Sequence, residues 1–418
     1  MDDFFIDGGL PLRGTAVVNG SKNAALPILI ATLLTDEPCV ISNVPRLRDI
    51  RTTLRLLETL GKKVSVSGHT VRISAAGALK TTAPYDIVKQ MRASVLVAGP
   101  LLARFGRVRV ALPGGCAIGL RPIDIHLQGL RAMGARKSAE GGDVVLRARS
   151  LRPAKVRLRF ASVGATENLM MAAAGTPGVT TIENAAREPE IEDLGVFLRS
   201  LGAGVTGAGT SRIRVEGVPL LRGARHRVIP DRIETGTLLI AAAAAGGTVF
   251  LRGADAGQLT ALLGALRKAG ARVRAGAAGI RISSQGRPRA VSIQTRPHPG
   301  FPTDLQAPWM AYMTLGRGSC RIREDIFERR FIHAAELGRM GARIDVRGRT
   351  AAVTGVPALE GAGVMASDIR AGAALVVAGL AARGRTYVQR VYHIDRGYER
   401  LERTLRRLGA RIRRVRAP

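Results

Sequence analysis

The chain has 418 residues, 46% of them hydrophobic, and its 64 Lys and Arg against 32 Asp and Glu give a formal net charge of +32. This composition excludes a disordered chain and leaves length for two domains with full cores; three cysteines, Cys39, Cys116 and Cys320, exclude a disulfide framework. No apolar run free of charge reaches the roughly 18 residues that span a bilayer, and the opening MDDFFIDGG is acidic where a secretory signal is basic, so a cytoplasmic protein is expected.

From the N-terminus, FFIDG reads as a lone strand. Next comes KNAALPILIATLL, apolar nearly all round and therefore a buried helix. The strand CVISNV, an amphipathic helix ending LRLLETLG and the hairpin KKVSVSGHTVRIS complete the unit. The same succession returns five times, its buried helices being MRASVLVAGPLLARFG, SVGATENLMMAAAG, DRIETGTLLIAAAAAGG, TDLQAPWMAYMTLG and SDIRAGAALVVAGLAARG. Gly61, Gly134, Gly202, Gly270, Gly341 and Gly409 end the six amphipathic helices at intervals of about 70 residues, each a C-terminal cap where positive φ costs glycine nothing. The sixth copy, ending RIRRV, has one final strand where the others have two, so the lone N-terminal strand is expected to complete it. Two halves of three βαβαββ units follow, one made of residues 1–21 and 230–418, the other of residues 22–229. The ligand site is expected in the cleft between them.

The buried helices open on groups that a buried helix should lack: Lys22 with Asn23, Arg92, Ser162, Asp231, Asp304, and Asp368 with Arg370. Ser162, Asp231, Asp304 and Asp368 are preferred N-cap types, and each read alone is a cap. Lys22, Arg92 and Arg370 stand at the positive end of a helix dipole, where cations are disfavoured, which predicts an anion beside them. Free backbone N–H groups flanked by cations suit a phosphate or a carboxylate, and Arg121, Arg330 and Arg396 on connections can add to them. In LPGGCAIGLRPID, Cys116 follows two glycines and precedes Arg121, a setting that exposes a thiol and favours its thiolate; a packed, inert thiol is the other reading. Cys39 and Cys320, in the apolar strands EPCVIS and GSCRIR, read as core hydrophobes. The six histidines have no paired-ligand spacing, and GAGVTG at residues 202–207 follows a helix rather than a strand, so neither a metal nor a nucleotide cofactor is expected. Aromatic residues make up 4% of the chain, too few for many base-stacking platforms. The charge is therefore read as compositional, and a nucleic-acid partner is not expected.

GSKNAALPILIATLL, LPGGCAIGLRPIDIHLQGL, SVGATENLMMAAA, PDRIETGT, FPTDLQAP, FERRFIH, ASDIRAGAALVVAG and YHIDRGYERLE resemble the UDP-N-acetylglucosamine enolpyruvyl transferases, with motifs from about residue 5 to about residue 410. The resemblance implies an α/β fold, the inside-out α/β barrel of the enolpyruvyl transferase type, in two domains of three repeats. It implies that a sugar 3′-hydroxyl adds to C2 of phosphoenolpyruvate while C3 is protonated, and that phosphate then leaves, with no cofactor. By the same resemblance Cys116 protonates C3 and is alkylated by fosfomycin, and Asp304 takes the hydroxyl proton. Lys22, Arg121, Arg370 and Arg396 hold phosphoenolpyruvate, Lys22 and Arg396 counting among the catalytic groups. Arg92, Arg330 and Asp368 are further substrate contacts, and Asn23, Ser162, Val163, Gly164, Asp231 and Ile326 meet the UDP-sugar. Phe160, where some members carry Lys, and Leu120, before Arg121, depart from the pattern. Within the fold the rival is shikimate-3-phosphate enolpyruvyl transferase, against which PGGCAIGLRPID and SVGATENL speak. From another class the rival is a catalytically idle homologue that binds polyanions. Nothing in these residues fixes an oligomeric state.

Overall fold

Six four-stranded sheets obey one pairing rule in a computed structural model of the chain that describes residues 2–89, 91–111, 123–140 and 142–416. In each, a first strand lies parallel to the strand that follows the buried helix, and the hairpin adds two antiparallel strands. Thus Lys155–Arg157 runs parallel to Gly178–Glu183, which pairs antiparallel with Arg212–Gly217, itself paired with Gly204–Thr206. The sixth sheet is closed by the chain's beginning: Asp2–Asp7 inserts between Arg385–Gln389 and Arg411–Arg416, with Phe5 opposite Tyr387 on one side and Arg413 on the other. This is the closure that the missing strand of the sixth copy requires.

The contiguous repeat expected from the sequence is corrected at one point. Leu12–Val17, which precedes the first buried helix, pairs with Gly247–Arg252 of the fourth copy. Arg225–Arg227, which precedes the fourth buried helix, pairs with Cys39–Ser42 of the first. The first and fourth copies have exchanged their first strands. Residues 2–19 and 230–416 pack as one unit, and residues 20–111 and 123–229 as another.

The six buried helices are covered almost throughout because they have no broad polar face to offer, Ala98–Phe105 reaching solvent at Phe105. In the first unit Arg232–Ala245, Gln306–Met313 and Ile369–Ala381 pack on one another; in the second Ala98–Phe105 packs on Val163–Ala174, while Lys22–Ala31 is covered by Arg48–Thr59 and Pro189–Ser200. Small residues set the spacing: a Cβ at Gly99 would lie 2.3 Å from the Asn168 carbonyl oxygen. Two buried helices are shorter than their apolar runs. Arg92–Val97 and Thr303–Leu305 are 3₁₀ turns, and α-helix begins only at Ala98 and Gln306. Pro100 and Pro308 fall in the first α-turn, where no N–H is needed, and leave the carbonyls four residues back, Leu96 and Asp304 in the 3₁₀ turns, without an α-type donor. The six glycines that end the amphipathic helices have φ from +89° to +110°, as their capping position demands.

Trp309 anchors the first unit's core. It is fully buried, stands edge-to-face with Phe301 and Tyr312 at 5.7 and 5.6 Å between centroids, and donates from Nε1 to the Val291 carbonyl at 3.3 Å. Trp309→Ala is expected to destabilise this unit by about 3–5 kcal/mol, read as a lower denaturation midpoint by circular dichroism. A loss below about 1 kcal/mol would mean that the helices collapse into the void. No helix among the described residues is long and apolar enough to cross a membrane.

Candidate active site

In the first unit the cap expectation separates one carboxylate from the rest. Asp231 Oδ1 accepts from the amides of Ile233 and Glu234 at 2.7 and 2.9 Å, and Asp368 Oδ1 from those of Arg370 and Ala371 at 2.8 and 3.0 Å, so both are N-caps. Asp304 is not. It lies inside the turn Thr303–Leu305, which leaves its carboxylate for other groups: Oδ1 accepts from Arg330 Nη2 at 2.6 Å and Oδ2 from Arg370 Nη2 at 3.3 Å. Both guanidinium groups are buried, and the carboxylate is 27% exposed. The anion predicted beside Arg370 is thus in part the protein's own.

Each arginine is held from behind. Arg330 Nη1 donates to Thr303 Oγ1 at 3.0 Å, and the guanidinium lies 5.0 Å above the Phe327 ring. Arg370 Nη1 donates to the Tyr398 hydroxyl at 3.1 Å, which shares a 2.9 Å hydrogen bond with Thr237 Oγ1. Burial opposes the charge of Arg370, but Asp304 and Tyr398 outweigh it and hold its pKa above the ordinary arginine value. Glu324, fully buried, accepts from Thr295 Oγ1, Thr303 Oγ1 and the amides of Ile326 and Phe327 at 2.8–3.1 Å, fixing the segment that carries Ile326 and Arg330. His333 is kept neutral, its pKa pushed down to about 4 by burial and by Arg330 against the pull of Asp368. Arg396 ends the turn Val391–Arg396 and is half-buried.

Beside Asp231, Glu234 accepts from the backbone and side-chain nitrogens of Asn19 at 2.9 and 2.8 Å. Burial, then the Asp231 charge, push its pKa up to about 8. A folded-state pKa above the unfolded one makes the stability fully present below the unfolded value, near 4.5, and lost as pH rises through about 8. Glu234→Gln is therefore expected to gain on the wild type by about 1.4 kcal/mol per pH unit across that window. Urea midpoints at pH 5 and pH 8 measure it, and a difference that stays constant with pH would remove the effect.

In the second unit Lys22 is the first residue of Lys22–Ala31, and Ser21 caps that helix, accepting from the Ala24 amide at 3.3 Å. The buried Lys22 ammonium pairs with Asp49 at 3.5 Å, again an internal anion where an external one was predicted. Asn23 beside it is half-buried. Ser162 caps Val163–Ala174, accepting from the Ala165 amide at 3.4 Å, and Val163 and Gly164 form its first turn. A Cβ on Gly164 would meet His126 Cε1 at 3.2 Å, so the imidazole and this helix start are in close contact. Asn168 fixes that imidazole, its Nδ2 lying 3.1 Å from His126 Nδ1. Phe160 is exposed. Arg92 begins the turn Arg92–Val97. Cys116, Leu120, Arg121 and the side chain of Arg92 lie outside the described residues.

Thr303, Glu324, Tyr398, Thr237, Asp49, His126 and Asn168 were not anticipated from the sequence. Thr303, Thr237, Tyr398, His126 and Asn168 lie inside the stretches that carry the resemblance, but without a role of their own there, while Asp49 and Glu324 lie outside them and are marked only by proximity in space. Among the described residues no group of three His, Cys, Asp or Glu could hold a metal ion.

A sixfold strand–helix repeat, with paired charges where the helices after Ser21 and Thr303 open, is shared with a class of transferases. Residues 6–405 match the model of the EPSP synthase (3-phosphoshikimate 1-carboxyvinyltransferase) family, and the chain belongs to this family of enolpyruvyl transferases. It has the fold of the enolpyruvyl transferase NikO from Streptomyces tendae, with a TM-score of 0.91 and 26% identity over 100% of this chain and 99% of that one. EPSP synthase from Acinetobacter baumannii, at TM-score 0.77 and 18% identity, shares the fold alone. More particularly, the chain is 54% identical over 415 residues to the UDP-N-acetylglucosamine 1-carboxyvinyltransferase of Nitratidesulfovibrio vulgaris, covering 99% of both. With the enzyme of that name from the Miyazaki F strain the identity is 53%, covering 99% of this chain and 100% of the relative.

Proposed function

We infer that this enzyme transfers the enolpyruvyl group of phosphoenolpyruvate to the 3′-hydroxyl of UDP-N-acetylglucosamine and releases phosphate, the first committed step of peptidoglycan precursor synthesis. The observation that carries the acceptor is identity above 50% along the whole chain to enzymes of that name. A cytoplasmic location and a part in cell shape and division go with this reading.

Asp304 takes the proton of the sugar hydroxyl as its oxygen bonds to C2 of phosphoenolpyruvate, and the Cys116 thiol gives a proton to C3. From the tetrahedral adduct C3 then loses a proton, the C2–C3 double bond returns, and the bond from C2 to the phosphate oxygen breaks. The first-unit cluster of Arg330, Arg370 and Asp304 carries one positive charge in excess, and this supports its use on an anion. Lys22, Arg121, Arg370 and Arg396 take the phosphate and carboxylate of phosphoenolpyruvate. Arg92, Arg330 and Asp368 add further contacts, while Asn23, Ser162, Val163, Gly164, Asp231 and Ile326 serve the UDP-sugar.

The test is phosphate release from phosphoenolpyruvate with UDP-N-acetylglucosamine or shikimate 3-phosphate supplied in parallel. Release with the nucleotide sugar alone is expected. Release with shikimate 3-phosphate alone would reassign the acceptor, and silence with both from a folded chain would favour the idle homologue.

A further inference from the structure

One sheet of the first unit carries charge for which the transfer reaction has no use. In the sheet of Arg272–Gly276, Gly279–Ser284, Gly247–Arg252 and Leu12–Val17, alternate residues such as Ile280, Ile282, Val249 and Leu251 are buried. The intervening positions form the outer face. They include Arg13, Arg252, Arg272, Arg274 and Arg281, all exposed, and no Asp or Glu. None of the five is in an ion pair, whereas on other sheets Arg109 is neutralised by Asp143 and Arg347 by Asp345. Arginine on an edge strand guards against unwanted strand pairing, which accounts for Arg272 and Arg274. It does not account for Arg252 and Arg281 on inner strands. Arg274 and Arg281 are moreover direct cross-strand partners, an arrangement that costs stability when no anion is present.

The face also holds a stacking element. The Arg281 guanidinium lies 5.2 Å above the half-buried Phe250 ring. The sheet that carries Arg72, Arg225 and Arg227 is as cationic but has no Phe, Tyr or Trp on its strands. Guanidinium forks bind phosphodiesters bidentately, and an arginine–aromatic stack receives a base. Val17 and Phe250 are the only large apolar groups on the face, too few to insert into a lipid surface. We propose that this face binds single-stranded nucleic acid, the arginines on its phosphates and a base on the Arg281–Phe250 stack. A composition poor in aromatics does not show such a face, because one ring in the right register serves the stack.

The experiment measures fluorescence anisotropy of a fluorescein-labelled single-stranded DNA of 12 nucleotides against the full-length enzyme over a salt series. Three proteins are compared: wild type, the triple variant Arg272→Glu, Arg274→Glu, Arg281→Glu, and a control with the same charge change, Arg321→Glu, Arg343→Glu, Arg347→Glu. Carboxyvinyl transfer is retained in both variants and reports that they are folded. The face variant is expected to lose at least about tenfold in affinity and to flatten the salt slope by about 2, each phosphate contact contributing about 0.7. The control is expected to change much less. Arg281→Lys, which keeps the charge and loses the planar stack, should weaken binding with the salt slope unchanged. Equal losses in the two triple variants would overturn the proposal in favour of net charge alone. Face-dependent binding to phosphatidylglycerol vesicles without oligonucleotide binding would overturn it in favour of a membrane surface.

Discussion

Asp304→Asn is expected to lower kcat by about 10²–10⁴-fold, the range of a general-base contribution, while leaving UDP-N-acetylglucosamine binding within about threefold. The amide keeps the shape and an acceptor for one arginine but cannot take the hydroxyl proton. The substitution has a second consequence that the geometry makes unavoidable. Arg330 and Arg370 are both buried against this carboxylate, and without it both guanidinium groups lose the ion pair that holds them, with Asp231 left as a more distant negative charge on Arg370. Removing one partner of a buried pair costs about 3–5 kcal/mol, a figure to be reduced here because the carboxylate itself is 27% exposed. Loss of stability and gain in local positive charge therefore accompany the loss of turnover, and phosphoenolpyruvate should bind no more weakly. Calorimetric titration of the sugar nucleotide, turnover and circular dichroism on one preparation separate these effects. Near-normal turnover would remove Asp304 as the base; loss of sugar binding with the fold intact would make it a binding residue instead.

The second large effect concerns the thiols. Fosfomycin is expected to add once, at Cys116, faster in the presence of UDP-N-acetylglucosamine, and to abolish activity in step with its incorporation. The structure supplies the reason for a single adduct. Cys39 and Cys320 are free but buried, and burial raises both thiols, Cys320 to about 11, so neither offers thiolate or access near neutral pH. Mass spectrometry of the intact and digested protein reads the outcome, with three reactive thiols expected only after denaturation. An adduct on Cys39 or Cys320 of the folded chain, or one on Cys116 that leaves turnover unchanged, would sink the assignment.

Much of this protein is written in one dimension. The six glycines that follow amphipathic helices announce a sixfold repeat because positive φ at a helix end is a local requirement, indifferent to what lies around it. The odd strand count of the last copy implied that Asp2–Asp7 returns to it, and counting strands needs no coordinates. The caps at Ser162, Asp231 and Asp368 are local in the same sense, each carboxylate or hydroxyl reaching amides two or three residues on. Residue type and position alone did not determine which acid among these look-alikes was free of capping; only the resemblance singled out Asp304. Asp304 has the residue type of a cap, and only the 3₁₀ turn ahead of Gln306 takes it out of that role and turns it to Arg330 and Arg370, 26 and 66 residues away. The exchange of first strands between the first and fourth copies was equally invisible, since Leu12–Val17 and Arg225–Arg227 satisfy the same local pattern with either partner. Local sequence determined where helices and strands begin and end, because capping, periodicity and φ are settled within a few residues. Tertiary structure alone decided the partners, because charge pairing and strand register depend on distances that the order of residues along the chain does not contain.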